Sequence, residues 1–515
     1  MNKVLLFQLW IFGVGFLCSN LHKRTFDPVF RTLIALPIGW ALFAICATVV
    51  YSIHFSAVSQ PIFLGVLALA TLAFLFTNIL RGYLSRDSIL LCGVSLVILS
   101  AACFVVDLLR IVTMTPDSTS IARFGQNIGL GNYEASRMVF SKWGPFVPLI
   151  HSITNLLDQK LYWQYQPLLS LDLVGVVFYT IYTFSRERQL RWQSFVTAAV
   201  LVSLMALSNI FLFHVFYIHV NIISALYMYL FVFSLAKMQQ QPSKAYELLA
   251  LLSLIAFSLV RLEAPLFAIV ILLLASFQPG WSYVNRLKLI GSFVVLFVAW
   301  YARVYFIVPE TPDILSKELV FAFTSVLVGF GLFTAVSGVK ALDAIVKRTP
   351  LVTLGGLILL SIVFTITKPE HMLASLKSIG QNILVYGNWG LTWYGIIFIA
   401  LELYFARRDA TGRDWIFTVL VGYSLLVYNL AYFIDSPYHT GEVDSANRLL
   451  LQALPLVLLY LSTRHRWFET SVKSVVQASS SVAAMPARGC ISAPGRTAAA
   501  RFESNTENKM VAANR

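Results

Sequence analysis

The chain has 515 residues, 58% hydrophobic and only 12% charged, where a soluble domain carries roughly a quarter charged residues. Apolar runs of about 18 residues or more recur, each long enough to cross ~30 Å of hydrocarbon; this excludes a soluble fold, and the alternating pattern of a membrane barrel is absent. The net charge of +14 reads as lysine and arginine held back in cytoplasmic loops, and with no basic–aromatic patch it implies no nucleic-acid partner.

The expected fold is therefore all-α, a polytopic helical membrane protein of about 13–15 transmembrane helices. In chain order the apolar spans fall at roughly 3–20, 32–54, 59–80, 88–110, 166–184, 194–213, 215–236, 246–260, 264–279, 288–308, 319–339, 350–367, 389–406, 414–433 and 447–463. The first run reads as a retained helix, because no small-residue cleavage site stands out after it. Cys18, Cys46, Cys92, Cys103 and Cys490 have no metal-site or disulfide spacing. Residues 1–466 form the transmembrane domain, and 467–515, rich in Ala, Ser, Arg and Asn towards its end, reads as a disordered cytoplasmic tail.

Alternate connections concentrate the cations: Lys23, Arg24 and Arg31; Arg81 and Arg86; Arg186, Arg188 and Arg191; Lys237 and Lys244; Arg286 and Lys288; Lys340, Lys347 and Arg348; Arg407, Arg408 and Arg413; Arg464 and Arg466. One orientation satisfies them all, with the N-terminus outside and the C-terminus cytoplasmic. It places four polar stretches on the external face: 113–165, the turn Arg261–Pro265, 368–388 and 434–448.

The first of these opens Pro116-Asp117-Ser118. Apolar residues at 121, 124 and 128 share one face of a short helix, and Asp117 stands at its start, where an aspartate serves as N-cap while still offering a carboxylate to a substrate. A second stretch has apolar residues at 146, 149, 150, 153, 156, 157 and 161 with Trp143, Trp163 and Tyr165 nearby. That spacing predicts a helix lying in the membrane interface, either bordering a lipid-facing entrance or packing on the bundle. The last external loop holds Asp435, Tyr438, His439, Glu442 and Asp444, which could contact a substrate or be solvated. His214 and His219 are five apart, which does not match helical metal-ligand spacing; they read as packing or hydrogen-bonding groups. Asp172 and Glu402 are acidic residues inside spans. No P-loop, nucleotide fingerprint, nucleophile elbow or glycosidase carboxylate pair is present.

The run Pro116-Asp117-Ser118, then Asn127-Ile128 with Gly129 and Gly131, then Trp143-Gly144-Pro145-Phe146-Val147-Pro148 resembles the first external loop of bacterial GT-C-type glycosyltransferases. These are relatives of the dolichyl-phosphate-mannose protein mannosyltransferases and of the lipid A aminoarabinose transferase. Val260–Pro265 resembles their Arg-Pro-Glu-Gly turn, and Arg448–Pro455 an Arg-rooted late helix containing proline. The chain departs in three places: Ile121 stands where tyrosine is frequent, Gly144 replaces the first proline of the tryptophan turn, and Ser118 follows Asp117 where the protein mannosyltransferases have Glu. Three spans before residue 88 are additional to the usual layout.

The resemblance implies a GT-C-like bundle and transfer of a sugar from a polyprenyl-phosphate donor to a cell-envelope lipid, glycan or protein at the external face of a bacterial inner membrane. Asp117 is then the catalytic base, and Arg261 and Arg448 bind the donor phosphate, since guanidinium matches phosphate oxygens at two points. Glu263, Trp143, His439 and Glu442 are candidate substrate contacts. No cofactor is firmly implied, no metal ligands are assigned, and the external carboxylates leave a divalent metal open. The alternatives are a transporter or flippase of lipid-linked intermediates, and an enzyme of the O-antigen polymerase or ligase type.

Overall fold

The computed structural model describes residues 3–53, 56–132, 144–159, 161–186, 190–278, 281–307, 317–405, 415–441 and 444–464. The chain divides into Met1–Arg466 and Trp467–Arg515, and every described residue lies in the first unit; the expected tail thus falls outside the described residues.

The helices are α1 Lys3–Asn20, α2 Pro28–Ile53, α3 Ser59–Leu80, α4 Arg86–Leu109, α5 Pro116–Gly129, α6 Phe146–His151, α7 Tyr165–Arg186, α8 Arg191–Ala206, α9 Asn209–Phe216 and α10 Asn221–Gln240. They continue as α11 Lys244–Val260, α12 Ala264–Ala275, α13 Tyr283–Ile307, α14 Lys317–Val336, α15 Asp343–Thr367, α16 Pro369–Gln381, α17 Thr392–Phe405, α18 Trp415–Leu430 and α19 Ser445–Arg464. Among the described residues there is no strand, only an isolated bridge between Thr113 and Tyr217.

Each of the fifteen apolar segments contains helix among its described residues, but 194–213 and 215–236 are broken at 207–208 and 217–220, and the helices differ in reach. Among the described residues, eleven helices are long and apolar enough to cross a membrane, and the pair α8–α9, bent by 69°, makes a twelfth if it is one span. The other three are α11, α12 and α17. At ~1.5 Å rise per residue, the 12 residues of α12 extend about 18 Å, short of the ~30 Å hydrocarbon thickness.

The bundle has an inner and an outer set of helices. The apolar window of α10 is 94% buried and that of α19 83%, against 17% for α3, α4 and α15. The outer helices turn Leu69, Leu72, Phe76, Leu351 and Val352 outward, as a lipid-facing surface requires.

The two ends of the bundle differ chemically. At one end the cation-rich connections meet: Lys23 Nζ donates to the Tyr83 carbonyl at 3.1 Å, Thr25 and Ser243 hydroxyls lie 3.4 Å apart, and Trp415 Nε1 donates to Gln239 Oε1 at 2.7 Å. At the other end the polar stretches meet. Asn382 Nδ2 donates to the His439 carbonyl at 2.9 Å, joining the connections 368–388 and 434–448. Thr113 N donates to the Phe216 carbonyl at 2.8 Å, and α11 runs from Lys244 at the first end to Arg261 at the second.

The connection after α4 differs from expectation in two details. Helix α5 forms over the expected residues and buries Ile121 and Ile128, but its N-cap is Thr115, whose Oγ1 accepts from Ser118 N at 3.3 Å. Pro116 takes the first helical position, where its missing N–H is harmless, which moves the cap one residue before the proline and frees the Asp117 carboxylate. The second stretch is helical only over Phe146–His151, then turns through 152–158. Ser152 Oγ and Thr154 Oγ1 divert to the carbonyls of Leu149 and His151 at 2.7 and 2.9 Å, the local competition that ends helices. This helix packs on the bundle: all six residues are buried, with the Phe146 ring 5.4 Å from that of Tyr227. Gly125 and Gly129, one turn apart, let α5 approach it, because a Cβ at either would strike the backbone of Pro148 or Ser152.

Candidate functional site

Three elements converge at the polar end. Helix α5 presents Asp117 from its first turn, where a carboxylate is favoured by the helix dipole. Helix α19 presents Arg448 from its own first turn. Asp444 sets that helix start, with its Oδ2 accepting from Ala446 N at 2.8 Å and its Oδ1 from His439 N at 2.9 Å. The connection 217–220 presents His219. It is fastened to α5 through Thr115 Oγ1, which donates to Tyr217 Oη at 3.1 Å, and through buried Ser118 Oγ, which donates to the Ile218 carbonyl at 2.9 Å. Ser118, which stands where the mannosyltransferases carry Glu, therefore serves as a structural tie in this chain.

Arg448 is the hub. Its Nη1 lies 3.8 Å from Asp117 Oδ2 and 3.2 Å from His219 Nε2, and its Nη2 donates to Ser445 Oγ at 3.2 Å. The Arg448 side chain is 14% exposed and that of Asp117 43%, so the guanidinium is largely withdrawn from water while the carboxylate faces open space. The Arg448 Nε is buried without a hydrogen-bond partner among the described residues. A cation this withdrawn and incompletely satisfied is receptive to a further anionic oxygen.

His219 stacks on Tyr217 at 5.0 Å. Burial lowers its pKa well below the usual histidine value, and Arg448, Arg261 and His214 push in the same direction. The ring is thus neutral, and Nε2 accepts the Arg448 proton.

Arg261 ends α11 in extended conformation, with φ −141° and ψ 153°. Its Nε pairs with Glu263 Oε1 at 2.6 Å. The pair lines a small cavity together with Ser224 of α10 and Leu449 and Gln452 of α19. Gly144 holds the neighbouring segment against this turn: at φ +72°, its missing Cβ would lie 2.7 Å from Arg261 N and from the Val260 carbonyl carbon and oxygen. A proline, locked near φ −65°, could not occupy this place.

The structure therefore brings Asp117, Arg448, Arg261 and Glu263 to one end of the bundle. It places His439 on an exposed part of the connection after α18, tied by its backbone to Asn382 and Asp444. Trp143 and Glu442 lie outside the described residues, as does the Glu402 side chain. Among the described residues, no group of three or more His, Cys, Asp or Glu side chains is arranged to hold a metal.

No protein-family model matches the chain, and no curated protein matches it. Among solved structures, the archaeal oligosaccharyltransferase AglB from Archaeoglobus fulgidus, in complex with an inhibitory peptide and a dolichol-phosphate, is similar to 76% of this chain at 12% identity with a TM-score of 0.36. The chain spans about half the length of that protein, 52%.

Sequence reasoning missed His219 as the partner of Arg448, and Ser118, Ser445 and Asp444 as the groups that fix the site. The signals present were a Thr-Pro pair marking the α5 cap and an Asp four residues before Arg448.

Proposed function

We propose that this protein is a membrane glycosyltransferase that moves a sugar from a polyprenyl-phosphate donor to a cell-envelope acceptor, with its chemistry at the polar, external end of the bundle. The observation that carries this reading is the approach of Asp117 to Arg448 at 3.8 Å, between residues far apart in the chain, with Arg261 lining a cavity beside Leu449, the residue next to Arg448. In the reaction, the acceptor hydroxyl oxygen attacks the anomeric carbon. The bond from that carbon to the phosphate oxygen breaks, and its electron pair leaves with the phosphate. Asp117 takes the hydroxyl proton as general base. Arg448 and Arg261 meet the charge growing on the leaving phosphate, where donors already in place lower the barrier most.

An apolar groove of about 320 Å³ between α2, α11 and α13, lined by Ile45, Ile255, Leu259, Phe297 and Trp300 with Arg303 beside them, suits the isoprenoid tail. Tyr301 of α13 donates to the Leu262 carbonyl at 2.6 Å, linking this groove to the Arg261 turn. Cations gathered at the opposite end support an external site.

The test is the envelope of a strain lacking the protein, with its lipids and glycans compared by mass spectrometry. The expected result is loss of one glycosylated species, restored by the wild-type protein and not by Arg448→Ala. Unchanged composition would overturn the reading. One observation favours a transporter instead: Asp172 lies within α7 with Oδ2 buried and unpartnered among the described residues, and intramembrane carboxylates mark translocation paths. Lipid flux in proteoliposomes that survives loss of Asp117 and ends on Asp172→Asn would select that reading.

A further inference from the structure

A second polar cleft opens at the same end of the bundle. It measures about 360 Å³ and is lined by Asp107, Arg110, Gln159, Trp163 and Gln164, within the roughly 300–1,000 Å³ of small-molecule sites. None of the groups proposed for catalysis lines it.

The walls are built on rigid structure. Trp163 and Gln164 sit between Tyr162 and Tyr165, both fully buried, with ring centroids 6.1 and 6.2 Å from that of Trp40. Gln164 is itself 4% exposed and held at both ends: its Nε2 donates to Asp107 Oδ1 at 3.0 Å, and its Oε1 accepts from Trp163 N at 3.2 Å. Asp107 is thereby fixed in the last turn of α4. Arg110, the residue that ends this helix, has φ +48° and ψ 29°, a left-handed conformation that a non-glycine residue adopts at a cost of roughly 1–3 kcal/mol. A glycine would close the helix more easily; the chain keeps a guanidinium here instead.

The lining identifies the ligand class. A carboxylate accepts, a guanidinium donates, the half-buried Gln159 amide does both, and an indole offers a flat apolar face. Opposite charges on Asp107 and Arg110 disfavour a simple anion or cation. The complement is a neutral ring bearing several hydroxyls, each able to donate and accept, with a C–H face for the aromatic. Arg110 precedes Asp117 by seven residues, so the two are separated by at most about 25 Å of chain.

We infer that this cleft binds an uncharged saccharide unit of the acceptor, which makes the acceptor a glycan or glycolipid. The inference rests on the glycosyltransferase reading for its role but not for the binding itself. A subsite here would hold a sugar remote from the reacting hydroxyl and orient the acceptor towards Asp117.

The experiment measures binding apart from transfer. Full-length protein is purified in lauryldimethylamine oxide, because sugar-headed detergents would compete. Methyl glycosides of glucose, galactose, mannose and N-acetylglucosamine are then screened by saturation-transfer NMR. The expected result is binding of at least one glycoside, weakened by at least about tenfold in Trp163→Ala and in Arg110→Gly, since loss of a charged hydrogen-bond donor has an effect of that size, and retained in Asp117→Asn. Arg110→Gly guards against misfolding, because it relaxes a left-handed residue while removing the guanidinium. Binding of no glycoside, equal binding by wild type and both cleft variants, or loss of binding in Asp117→Asn would each overturn the inference. Glycoside binding that behaves as expected in a protein whose deletion leaves the envelope unchanged would keep the saccharide site and refute the transferase reading.

Discussion

Gly144→Ala tests the contact that seats Gly144, just before α6, against the Arg261 turn. Two penalties follow from the geometry. The residue has φ +72°, a conformation that costs an L-amino acid roughly 1–2 kcal/mol. The added Cβ would lie 2.7 Å from three backbone atoms of Val260 and Arg261, and backbone cannot swing aside as a side chain can; forced overpacking of this kind typically costs about 1–3 kcal/mol. Together they amount to about 2–5 kcal/mol. The strain falls on the turn that presents Arg261, so transfer should fall together with the thermal unfolding midpoint measured in detergent. The matched control is Gly13→Ala, within α1 and with no atom within 4 Å of the new methyl, which should gain about 0.5–1 kcal/mol from helix entropy. A Gly144→Ala protein with a wild-type midpoint would refute the packing argument.

Further outcomes can be checked in the same preparations. Arg448→Lys keeps the charge but loses the planar fork that serves Asp117 and His219 together; stability should drop by about 1–3 kcal/mol through the orphaned His219 Nε2, and transfer by about 10²–10³-fold, read by unfolding midpoint and initial rate. Buried His151, outside the spanning helices, has its pKa pushed down to about 3 by desolvation. The unfolded chain takes up that proton near pH 6.5 while the folded state refuses it, so stability is lost as pH falls below about 6.5, by up to about 1.4 kcal/mol per unit. His219 acts in the same direction. The unfolding midpoint should therefore decline from pH 7 to pH 5, and less steeply in His151→Gln.

What the sequence disclosed follows from the range of the forces involved. Hydrophobic spans are local and continuous, so all fifteen apolar segments could be read as helices. Which of them cross a membrane depends on length, and α12 ends after twelve residues at Ser276, whose Oγ donates back to the Leu272 carbonyl. The α5 helix was legible from Ile121 and Ile128, but its cap was misread because Thr115 and Asp117 flank Pro116 and only the preference of proline for the first helical position separates them. The 146–161 stretch showed helical spacing, yet Ser152 and Thr154 turned their hydroxyls onto the backbone and ended the helix early. The pairing of Asp117 with Arg448, and the approach of His219 to the same guanidinium, depend on contacts spanning hundreds of residues, and no local pattern encodes them. The Asp107–Gln164 cleft was invisible for the same reason, since its two walls come from the end of α4 and the approach to α7.

The most direct measurement is sugar transfer by purified Asp117→Asn in proteoliposomes supplied with a panel of polyprenyl-phosphate hexoses and an envelope extract as acceptor. The ion pair is long, at 3.8 Å, and the carboxylate 43% exposed, so its loss should lower stability by no more than about 1 kcal/mol and leave a folded protein. Removing a general base should slow transfer by about 10²–10⁴-fold. A folded Asp117→Asn protein that transfers sugar at the wild-type rate would contradict the assignment of the reaction to this end of the bundle.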